Sequence, residues 1–90
     1  MDLSGLPGEK LVSCGLTDLA AGRSTVAALV VSVGAPRLRG LGVEVSGPVA
    51  DAEHALWKLL AQEDPDSAHG RYNALIRELV SFERALDCVG

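Results

Sequence analysis

The stretch DPDSAHGRYNALIRELVSFERALDC, residues 64–88, decides how this chain folds. Asp64-Pro65-Asp66 opens an unbroken run to Cys88. Within it Ala68, Tyr72, Leu75, Ile76, Leu79, Val80 and Leu86 recur three and four apart, which sets them on one face of a helix. The spacing predicts a single long amphipathic helix. Upstream, Asp51 opens and caps a helix running to about Gln62, with Ala52, Leu56, Leu59 and Leu60 on its buried side. The joint at Asp64-Pro65 is so short that the two helices are expected as antiparallel neighbours, an αα-hairpin. Leu56, Leu59, Leu60, Leu75, Ile76, Leu79 and Leu86 are expected at the centre of the core, with the hairpin carrying most of it.

The amino-terminal half reads as further helix. Pro7 suits the first turn of a helix over Pro7 to Ala21, because its missing N–H has no intrahelical partner there. Leu11, Val12, Leu16 and Leu19 supply the apolar face, and Gly22 is placed as the left-handed residue that closes it. Gly15 in mid-helix costs roughly 1 kcal/mol against Ala and marks a point where another element comes close. Ser24 or Thr25 caps a second segment to Val33, with Val26, Leu29, Val30 and Val33 inward. Its four valines also suit a buried strand, but Ala27, Ala28 and Leu29 favour helix, and Gly34-Ala35-Pro36 stops it. Pro36 to Gly42 fits a short helical turn, and Val43-Glu44-Val45 a short extended piece. The expected fold is one all-α domain over 1–90, a small bundle of four main helices with a C-terminal αα-hairpin; the alternative is α+β, with short strands near 26–33 and 42–46.

Ninety residues allow one core. A hydrophobic share of 48% is too high for intrinsic disorder. A mean hydropathy of +0.24 leaves apolar surface over for association with a second copy or a partner. The net charge of −4 argues against non-specific nucleic-acid binding, which depends on Lys and Arg neutralising phosphates. Arginine outnumbers lysine six to two, in keeping with a GC-rich bacterial genome. No signal peptide is read at Met1-Asp2-Leu3-Ser4, and the apolar run Val26 to Val33 is far short of the ~20 residues that span a bilayer. Cys14 and Cys88 lack CxxC partners, so a cytoplasmic protein with reduced thiols is expected; burial as small hydrophobes, a fraying end or a mutual disulfide are the readings for the pair.

Three site hypotheses follow. Asp51-x-x-His54-x-x-Trp57 is echoed by Asp66-x-x-His69-x-x-Tyr72, and Asp and His three apart on a helix can face one metal ion; helix capping explains the same residues. Val26 to Leu41 resembles a helix-turn-helix with Arg37 and Arg39 toward a groove, although Gly40 and Gly42 cut its second helix short. Asn73, Arg77, Ser81 and Arg84 form a polar, cationic stripe on the last helix, which can meet the acidic group Glu63, Asp64 and Asp66 within the molecule or across a two-fold axis. Trp57 and Phe82 stand at the edges of buried faces, and rim aromatics commonly anchor interfaces. The interface is therefore expected at Trp57, Tyr72, Arg77, Phe82 and Arg84. With no G-x-S-x-G, GxGxxG or P-loop sequence, no cofactor, metal or small-molecule substrate is assigned. The expected function is a non-enzymatic interaction or dimerisation module, its partner a second copy or another protein rather than a membrane.

Overall fold

Val26–Val33 is apolar at every position but Ser32, and its helix lies at the centre of the molecule, with only its ends half-buried. The computed structural model describes residues 5–89, which form five helices: α1 Glu9–Ala20, α2 Val26–Val33, α3 Ala35–Gly40, α4 Ala52–Glu63 and α5 Ala68–Val89. Five consecutive residues of α2, Ala28 to Ser32, are buried, and α2 packs against α1, α3, α4 and α5. An all-round apolar helix is enclosed in this way. The fold is all-α; no strand occurs among the described residues, so the α+β alternative falls. Residues 26–33 are helix because their valines are buried by helices rather than by a sheet. In the 42–46 segment Val43 and Val45 are buried and Glu44 exposed, an extended alternation without a ladder partner.

Gly15 allows α1 and α2 to meet. A Cβ built there would lie 2.9 Å from the Ala27 carbonyl carbon and would overlap the Ala27 oxygen and Val31 Cγ2. The turn between these helices is held at both ends. Gly22, at φ 78°, ends α1 while the Arg23 N–H returns to the Asp18 carbonyl at 2.8 Å, a Schellman closure. Thr25 Oγ1 accepts the Ala28 N–H at 3.2 Å, capping α2, and donates to Asp18 Oδ2 at 2.5 Å; Arg23 Nη2 donates to Asp18 Oδ1 at 2.9 Å. These bonds hold the Asp18 carboxyl below its ordinary range: the Thr25 bond is the largest cause and outweighs desolvation, and Arg23 adds to it.

Ser32 ties the extended segment to the core. Its hydroxyl donates to the Ala28 carbonyl at 2.8 Å and accepts the Val49 N–H at 2.9 Å, while Arg39 Nη2 donates to the Val45 carbonyl at 2.9 Å. The α4–α5 reversal is as expected, with the Asp66 N–H bonded to Asp64 Oδ1 at 3.1 Å and Arg71 paired with Glu63 at 3.2 Å.

Four expectations change. The core centres on α2 rather than on the hairpin, and Leu59, Leu75 and Ile76 are half-buried. The first helix begins at Glu9, because Gly8 takes φ 77° where the chain crosses α5; a Cβ there would lie 2.7 Å from the Glu78 carbonyl oxygen. Asp51 does stand at the N-cap of α4, but at φ 54° its side chain makes no capping bond. Phe82 is wholly enclosed rather than at the rim. Phe82 lies three residues after Leu79 and four before Leu86, both buried, so helical periodicity sets it on the same inward face of α5; Gly8 packs beside it, and a Cβ on Gly8 would lie 3.3 Å from Phe82 Cβ.

Candidate functional site

Trp57 is the one large hydrophobic side chain left open among the described residues, at 40% exposure. Its position on the flank of α4 turns it toward α5. Trp57 and Tyr72 are equidistant from the Asp64-Pro65 joint, so the antiparallel reversal brings them level, and His69 lies on the same helix three residues before Tyr72. The Trp57 ring centroid is 6.1 Å from that of Tyr72, with ring planes at 72°, and 6.1 Å from that of His69, at 76°. Both are edge contacts within the favourable range for aromatic pairs. The Asn73 amide lies 3.2 Å from His69 Nε2, fixing the imidazole one turn further along α5.

Glu53 stands one turn before Trp57 on α4. The Tyr72 phenol is raised above its ordinary pKa, first by burial and then by the Glu53 charge, so the carboxylate belongs to the same surface. Arg77 follows Asn73 by one turn and borders the group. Arg84 lies two turns further on. Both arginines are exposed, on the side of α5 opposite Leu79 and Leu86, and neither joins an ion pair among the described residues. Of the expected interface residues, the structure joins Trp57 to Tyr72, leaves Arg77 at the edge and Arg84 apart, and encloses Phe82. Sequence reasoning placed His69 in a metal site and so missed its part in this surface; the level pairing across the hairpin was the signal.

The other constellations do not assemble. Among the described residues no three His, Cys, Asp or Glu side chains come together as metal ligands; Asp51 and His54 are exposed at one helix start, and Asp66 and His69 lie at another. The helix-turn-helix reading fails on geometry. α3 has six residues, Arg39 is held by Val45, and Arg37 lies 3.9 Å from Asp87. Cys14 and Cys88 are free and exposed, so the pair forms no disulfide and fills no core position. Among the described residues no helix is long and apolar enough to cross a membrane.

Glu83 was also missed. It occupies the apolar sector of α5 at 6% exposure, facing the α2–α3 junction, where its Oε2 would lie 3.1 Å from a Cβ on Gly34. Burial raises its carboxyl above the ordinary value, and the Arg37 charge opposes that rise.

No protein-family model matches the chain, and neither a curated protein nor a solved structure matches it.

Proposed function

We propose that this chain is a non-enzymatic protein-interaction module whose contact surface is the outer flank of the α4–α5 hairpin. The observation that carries the reading is Trp57: among the described residues the other large hydrophobic side chains are enclosed or half-enclosed, whereas this indole stands open, braced against two rings. Rigid aromatic side chains lose little conformational freedom on binding and are the commonest anchors of interfaces. Among the described residues a single large hydrophobic side chain stands open, which favours a transient contact over the broad apolar seam of an obligate dimer.

Site-specific photocrosslinking in the producing cells tests this. A benzoylphenylalanine at exposed His69 is expected to trap one discrete protein, the same chain or another, and Trp57→Ala is expected to abolish the adduct. The same probe at Ala20, exposed at the end of α1, should not trap it. Equal trapping from both positions, or none from position 69, refutes the proposal.

A further inference from the structure

Building on the interaction surface proposed above, we infer that its occupant is a cationic segment of a partner protein, with an arginine or lysine side chain held against Trp57 between Glu53 and the acidic joint at Asp64 and Asp66. Aromatic faces attract guanidinium and ammonium groups through the ring quadrupole, and Trp does so most strongly. The carboxylates supply the complementary charge. Glu53 is one turn from Trp57, and Asp66 is three residues before His69. Glu63 is engaged by Arg71, whereas Glu53, Asp64 and Asp66 have no basic side chain within ion-pair distance among the described residues. The chain as a whole carries −4, so its field favours a basic partner at encounter. Arg77, at the far border, sets the limit of the cation-accepting area and disfavours docking of the basic segment along the rest of α5.

Trp57 is the sole tryptophan, so its emission reports on this surface alone. The probe is a short Arg-Gly repeat peptide titrated into the full chain, with the matching citrulline-Gly peptide as the neutral isostere and free guanidinium as the small-cation arm. The expected result is a saturable change in Trp57 emission with the Arg peptide that weakens as salt is raised. Citrulline should bind at least about threefold more weakly, and Glu53→Gln should weaken the Arg peptide by roughly the same ratio without altering the melting curve. No saturable change, equal binding of the Arg and citrulline peptides, or full reproduction of the effect by guanidinium alone overturns the inference. The two proposals fail separately: a discrete adduct from position 69 together with no peptide selectivity refutes the cationic partner and leaves the interaction surface standing.

Discussion

Replacing Gly15 by Ala is expected to destabilise the fold even though it installs a better helix former in the middle of α1. In an exposed helix the exchange gains up to about 1 kcal/mol. At Gly15 the added methyl meets the Ala27 carbonyl group and the Val31 side chain. A flexible side-chain end can move aside, but backbone cannot, so α1 and α2 must separate along their shared seam. Overpacking of this kind costs about 1–3 kcal/mol and occasionally more. At the upper end of that range, set against the propensity gain, the net loss is about 2 kcal/mol. For a chain of this size that corresponds to a fall in melting temperature of roughly 8–16 °C, or a shift of about 2 M in the urea midpoint. Far-UV circular dichroism reads both. Gly70→Ala is the control: a Cβ there meets nothing within 4 Å, so it should stabilise by up to about 1 kcal/mol. A Gly15→Ala protein as stable as the parent, or more so, refutes the close approach of α1 and α2.

Three further outcomes are expected. The Asp18 carboxyl is held below its ordinary value, so its contribution is fully present above the unfolded-state pKa and is lost as pH falls through the lower folded-state value; the stability gap between the parent and Asp18→Asn should close over that acid window in thermal melts. Glu83 has the opposite sign. Its folded-state value is raised, so the folded chain binds the extra proton and stability falls as pH rises from the unfolded value through the folded one; Glu83→Gln should melt higher than the parent at neutral pH, and the difference should vanish in acid. Phe82→Ala should cost about 3–5 kcal/mol in urea unfolding, and a loss below ~1 kcal/mol would return Phe82 to the surface.

Much of the scaffold was legible because it rests on local rules. The three-and-four spacing from Ala68 to Leu86 gave α5, Gly22 gave the end of α1, and Gly15 signalled a close neighbour that proved to be α2. What was not legible depends on which surfaces meet. Periodicity shows that α2 is apolar but not that four other helices cover it, so the centre of the core was assigned to the hairpin. Phe82 is the exception: it falls three residues after Leu79 and four before Leu86, so helical spacing alone sets it on the buried face of α5. Glu83 looks like an ordinary surface glutamate until the α2–α3 junction closes over it. At the candidate site the edge position of Trp57 could be read from its own helix. Its contacts with His69 and Tyr72 required the register of the hairpin, and the Asp-x-x-His repeat drew attention to the wrong partners for His69.

The central claim is a closed core with one open aromatic flank that a partner covers. Hydroxyl-radical footprinting of the three aromatic residues tests it most directly, in purified protein and inside the producing cells, with each reactivity referred to the unfolded chain. The expected pattern in purified protein is Trp57 reactive, Tyr72 intermediate and Phe82 protected, with Trp57 becoming protected in cells. A reactive Phe82 in the purified protein, or a Trp57 equally reactive in both settings, contradicts the account.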